Sequence, residues 1–150
     1  MGTSLLRVGK VMVGTLAIIN ALVNTYNPED GKMVAGVRKK DGSFEDFEKI
    51  AENYLWSKTK QRSTTILVAV TNVKLPHESL GRVCTMAFSG LARCIFPVGM
   101  THDGDTVFSA STERVSYSGS WERIVDLVGM LASKSAVLSV IYAVKQGVKK

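Results

Sequence analysis

Three features of this 150-residue sequence predict an α+β fold, a sheet flanked by helices. β-branched apolar runs occupy the first quarter of the chain and begin again at Thr64, two long stretches carry apolar residues at helical spacing, and strands come mostly before helices. The hydrophobic fraction of 45% with 21% charged residues suits one soluble globular domain able to bury a core, and excludes disordered and low-complexity classes. No internal repeat is present.

From Leu5 to Val23 the chain reads as two extended segments joined at Gly9-Lys10, too apolar for a one-sided surface helix. The stretch from Asn24 to Lys32 gathers Asn, Pro, Asp and Gly and reads as a loop before a short strand from Met33 to Val37. After a turn at Asp41-Gly42, the spacing of Phe44, Phe47, Ile50, Ala51, Tyr54 and Leu55 predicts a short amphipathic helix. "SKTKQRS" reads as a linker. From Thr64, "TTILVAVTN" predicts a central strand buried on both faces.

Pro76 suits the first turn of a helix, continued by Leu80, Val83, Ala87, Leu91 and Ile95 up to Phe96-Pro97. "TVFSAST", Thr106 to Thr112, predicts another strand. Ser120 is placed to cap a last helix whose apolar face runs through Ile124, Leu127, Val128, Leu131, Leu138 and Ile141.

The net charge of +6 raises a nucleic-acid or anion-binding reading, since clustered cations displace counterions from phosphates. Its distribution argues against one. Lys39, Lys40, Lys58, Lys60 and Arg62 lie in a polar connecting region, Lys145, Lys149 and Lys150 form a tail, and no aromatic residues interleave as stacking platforms. "GKMVAG" and "RVGKV" lack Walker spacing. The apolar run from Val11 to Val23 is too short to span a bilayer and contains Asn20, so neither a membrane partner nor a signal peptide is expected.

Cys84 and Cys94 fall within one predicted helix, roughly 15 Å apart along its axis, too far to bridge. No further Cys or His stands at ligand spacing. The expectations are therefore no disulfide, no metal, no cofactor and a reducing cytoplasm.

Taken alone, Thr64 merely starts a β-branched strand, Asp103-Gly104-Asp105 is a solvated turn, and His102 is a loop residue. Gly104 would permit a bend that lets the two carboxylates converge. A calcium loop is excluded, because the remaining ligands of the twelve-residue pattern are absent. Asn20 lies within "LAIINALV", where an amide is costly to bury without partners.

The segments "STTILVAVTN", "MAFSGLARCIFPV" and "HDGDTVFSAST", in that order and separation, resemble the DmpA-type L-aminopeptidase/D-esterase family, which includes β-peptidyl aminopeptidases and nylon-oligomer endohydrolases. The upstream stretch from Ser4 to Gly42 also resembles that family, so the likeness covers most of the chain. It implies a layered DmpA/ornithine-acetyltransferase-like sandwich, here incomplete because the family's N-terminal portion is lacking. It implies residues 1–63 as the end of an α-chain region and residues 64–150 as a β-chain region.

The family cuts its own chain before a Ser or Thr that becomes an N-terminal nucleophile. The resemblance places that residue at Thr64, the scissile bond at Ser63-Thr64, and Thr65 as the neighbouring alternative. Asp103 and Asp105 take the positions that orient the nucleophile, and Asn20 that of an oxyanion donor, with Asn24 its rival. Ser63 departs from the Asn or Gly usual before the nucleophile. The implied function is a self-processing aminopeptidase or oligoamide hydrolase acting on small peptides or amides, as a homo-oligomer or with a complementing chain. The alternative is an inactive remnant or one half of a split enzyme.

Overall fold

The computed structural model describes residues 1–20, 24–56, 63–101 and 103–147. Strands β1 (Gly2–Val8) and β2 (Val11–Asn20) form the expected hairpin, turning at Gly9, whose φ of 58° is the left-handed conformation that glycine adopts freely. Next come β3 (Asn24–Tyr26), β4 (Met33–Ala35), α1 (Phe47–Trp56) and β5 (Thr64–Val73). The second half contains α2 (His77–Ala92), β6 (Ile95–Phe96), β7 (Thr106–Val115) and α3 (Trp121–Gly147). The linker before Ser63 lies outside the described residues.

The main sheet has the order β1-β2-β5-β7. β1, β2 and β5 are successively antiparallel, whereas β7 lies parallel to β5. That parallel pairing needs a crossover, which α2 supplies. Strands and helices therefore interleave more than the sequence order suggested, within the same mixed α and β class. A small sheet, β4-β3-β6, touches α3 through β4 and α2 through β6.

α2 and α3 cover one face of the main sheet. Val13, Ala17, Leu67 and Ala69 point from the strands into a core completed by Val83, Ala87 and Leu91 of α2 and Val128, Ala132, Ala136 and Val140 of α3. Burying a side chain such as Leu67 or Leu91 contributes about 1.5 to 3 kcal/mol. Close approach depends on small residues. A Cβ on Gly90 would lie 2.3 Å from the Ser133 carbonyl oxygen, and one on Gly2 would lie 2.0 Å from that of Ser139. Between β2 and α3, the Thr15 hydroxyl meets those of Ser135 (2.8 Å) and Ser139 (2.6 Å), a buried polar seam in an otherwise apolar contact. α3 is long and apolar enough to cross a membrane, but its apolar window is 56% buried as the central helix of this core.

Among the described residues no element covers the opposite face of the sheet, which corrects the expectation that β5 is buried on both sides. β5 alternates, with Thr65, Leu67 and Ala69 buried and Thr64, Ile66, Val68 and Val70 more open. Register aligns Ile18 with Ile66, and Leu16 with Val68 and Phe108, so the open residues form one apolar surface. Leu5 is 67% exposed there, Phe108 55% and Ile18 47%. Helix α1 forms where its spacing placed it, yet buries no residue; Phe47 at its start packs on Phe96.

Two further boundaries differ. α2 ends at Ala92 because the chain tightens there, Arg93 and Cys94 donating to Gly90 O and Leu91 O, so Cys94 falls outside the helix that was to contain both cysteines. β7 runs on to Val115, three residues beyond Thr112. Ser120 takes its capping position, its Oγ accepting from Arg123 N–H at 3.4 Å and donating to Glu122.

Candidate active site

Thr64 opens β5, with buried Ser63 just before it. Its neighbours follow from strand register. Thr64 pairs with Asn20, the last residue of β2, and directly opposed residues of an antiparallel pair project to the same face. On the other side, β5 and β7 align Ile66 with Thr106, which carries the segment just before β7 past Thr64. That segment is Asp103-Gly104-Asp105.

Gly104 packs directly on the threonine, since a Cβ there would lie 2.8 Å from Thr64 Oγ1. Its N–H donates to the carbonyl oxygen of Ser63 at 2.9 Å. Asp105 spans the site: Oδ1 accepts from Thr65 N–H at 2.6 Å and Oδ2 from Gly99 N–H at 3.0 Å. Gly99 has a φ of 71°, the left-handed conformation that glycine adopts freely. Asp103 instead braces its own loop, accepting from Met100 N–H at 2.9 Å while its N–H donates to Met100 O. Both carboxylates thus meet at the Gly99-Met100 turn, on adjacent amides, and Asp105 alone of the two reaches on to β5 at Thr65. His102 lies outside the described residues.

Thr64 and Thr65 face opposite ways, as successive strand residues must. Thr65 is fully buried and its hydroxyl has no hydrogen-bond partner among the described residues, whereas Thr64 is on the more open face of the sheet with Asn20. Asn20 is exposed, so the burial cost inferred from its apolar surroundings does not arise. The buried amide is Asn24, 1% exposed, whose Nδ2 donates to Tyr26 Oη at 3.3 Å and whose Oδ1 has no partner among the described residues. A Cβ at Gly36 would stand 2.4 Å from that oxygen, so Asn24 is packed inside the small sheet.

Sequence reasoning missed Gly104 as a contact residue. Its φ is not left-handed; glycine is needed because Thr64 occupies the space of a side chain. The register of two parallel strands is what carries that information. Cys94 is remote in character from this chemistry, since burial pushes its thiol up to about 12. Among the described residues, no group of three His, Cys, Asp or Glu side chains could hold a metal ion.

A mixed sheet layered with helices, with a threonine opening an inner strand beside two carboxylates, is the arrangement set against known proteins. The description of peptidase family S58 matches residues 1–149, and the chain belongs to that family. Uncharacterized aminopeptidases of Mycobacterium bovis and Mycobacterium tuberculosis are 31% identical over 113 residues, covering 71% of this chain and 33% of theirs. The crystal structure of the PH0078 protein from Pyrococcus horikoshii OT3 shares the fold, with a TM-score of 0.56 and 15% identity over 95% of this chain and 38% of that one. The chain thus spans about a third of the length of the curated relatives it matches.

Proposed function

We propose that the chain is the nucleophile-bearing part of a self-processing amide hydrolase, cut between Ser63 and Thr64. The observation that carries this reading is the clamp around Thr64: Gly104 N–H on the preceding carbonyl, Asp105 on the following amide, and Asn20 alongside on the open face. Thr65 has its hydroxyl in the core, which favours Thr64 of the two.

A threonine hydroxyl is a poor nucleophile until a base takes its proton. The α-amino group released at Thr64 by cleavage is such a base, with a reference pKa of about 7.7 to 8.0 that leaves a neutral fraction near pH 7. Thr64 then attacks the carbonyl of a small peptide or amide, Asn20 donates to the developing oxyanion, and water releases the acyl group. Asp105 and Asp103 hold the strand and loop in register during these steps.

Intact mass and N-terminal sequencing of the purified chain test this. A fragment beginning at Thr64 is expected from the wild type and none from Thr64→Ala. A wild-type chain that stays whole under conditions where it is folded overturns self-processing.

The bare apolar sheet face favours a second reading, one half of a split enzyme or an inactive remnant that needs a complementing layer. Under it, cleavage or hydrolysis appears only when the other portion is supplied, and a remnant shows neither.

A further inference from the structure

We infer that the backbone N–H of Gly104 is the oxyanion donor for the self-cleavage step, an inference that rests on Thr64 being the nucleophile. In the uncut chain the bond to be broken joins the Ser63 carbonyl to the Thr64 nitrogen. That carbonyl oxygen already accepts a 2.9 Å hydrogen bond from Gly104 N–H. The same glycine lies against the attacking atom, with the position of its missing Cβ 2.8 Å from Thr64 Oγ1. One residue therefore touches the oxygen where negative charge will develop and leaves room for the hydroxyl that creates it.

The donor is held from both sides. Asp105, next in the chain, is fixed by Thr65 N–H and Gly99 N–H, and Asp103, just before, is fixed by Met100 N–H. An amide held this way needs little reorganisation as charge accumulates, the condition under which an oxyanion donor is most effective. The clamp also tethers the chain on either side of Thr64, at the Ser63 carbonyl and at the Thr65 amide, so the hydroxyl attacks a carbonyl that cannot swing away.

The step balances without any further reagent but water. Thr64 Oγ1 forms a bond to the Ser63 carbonyl carbon, and Gly104 N–H stabilises the resulting oxyanion. The C–N bond breaks, and the hydroxyl proton ends on the Thr64 nitrogen, leaving an ester at Oγ1 and a free amine. Water hydrolyses the ester, Ser63 departs as a carboxylate, and Oγ1 regains its proton. Gly104 N–H is then unoccupied beside the nucleophile, available to the carbonyl of an acyl group carried on Thr64.

A main-chain donor is tested by deleting the N–H alone. Gly104→glycolic acid, introduced by cell-free translation, replaces the amide with an ester of nearly the same shape. Intact mass over time should show fragments 1–63 and 64–150 forming about 100-fold or more slowly than in the wild type, the loss expected for one oxyanion donor. Gly99→glycolic acid is the control, because it removes an N–H to the Asp105 carboxylate and loosens the same loop without touching the Ser63 carbonyl. It should retain most of the rate, and circular dichroism should show both variants folded. If the wild type cuts and the Gly104 ester cuts equally fast, or if the Gly99 ester is slowed as much, the Gly104 assignment is overturned while Thr64 stands. If the folded wild type never cuts, the nucleophile reading falls and this inference with it.

Discussion

Asp105 holds the amide that follows the proposed nucleophile, its Oδ1 2.6 Å from Thr65 N, while its other oxygen accepts from Gly99. One carboxylate thus ties the start of β5 to the loop leading into β7. Asp105→Ala should lower stability by about 3 kcal/mol, the sum of two hydrogen bonds to a charged group at roughly 1.5 kcal/mol each. Asp105→Asn, which keeps one acceptor oxygen, should lose about half as much. Urea unfolding of Thr64→Ala backgrounds, where cleavage cannot intrude, measures both; an Asp105→Ala chain as stable as its parent would remove the clamp from the account.

Gly90 and Gly129 both lie where α2 and α3 cross, yet they should respond differently to alanine. A Cβ at Gly90 meets the backbone oxygen of Ser133, which moves only with its helix. At Gly129 it meets Met86 Sδ and Cε, the outer atoms of a flexible side chain, with Met86 Cβ further off at 3.2 Å. Gly90→Ala is expected to cost about 1 to 3 kcal/mol through overpacking. Gly129→Ala should be close to neutral, because a helix interior gains about 1 kcal/mol when glycine becomes alanine. Thermal unfolding of the two variants side by side decides it.

The hydroxyl seam of Thr15, Ser135 and Ser139 predicts non-additivity. Thr15→Val leaves the Ser135 and Ser139 hydroxyls buried with a partner removed, at a cost of about 1 to 3 kcal/mol. Adding Ser135→Ala and Ser139→Ala should recover much of that loss, since no polar group is then stranded. A triple variant weaker than the sum of its parts would contradict this.

Cys94 should make the fold sensitive to alkali. Burial raises its folded pKa from 9.0 to about 12, so the folded chain keeps a proton that the unfolded chain gives up. The contribution is fully present below about pH 9 and is lost as pH rises toward 12. Denaturant midpoints measured from pH 8 to pH 11 should fall, and Cys94→Ala should flatten part of that slope. At neutral pH a thiol reagent should modify Cys84 well before Cys94.

Local pattern carried most of the elements, because strand and helix periodicity are properties of neighbouring residues. The hairpin at Gly9, the strand from Thr64, the helix after Pro76 and the cap at Ser120 were all legible. Relations across the fold were not. Nothing local indicates that β7 runs parallel to β5 in a register that brings Gly104 onto Thr64. Asn20 stands in an apolar run and Asn24 opens a turn-rich one, which suggests the reverse of their burial; strand pairing is what separates the exposed amide beside Thr64 from the buried one of β3 against Gly36. The apolar run of β5 was read as doubly buried because hydrophobic side chains record a preference for cover without stating whether these residues provide it. The helical spacing through Ile95 likewise masked the turn at Arg93.

The uncovered sheet face has a practical consequence for handling the chain. A strip of exposed Leu5, Ile18 and Phe108 joined by half-buried Ile66 and Val68 is adhesive, and adhesion grows with concentration even when the fold itself is sound. Solubility, not unfolding, would then set the working limit of any preparation in which that face is unoccupied. Lysine at Val68 or Phe108, projecting from the middle of the strip, would be the first change to make when a dilute sample must become a concentrated one.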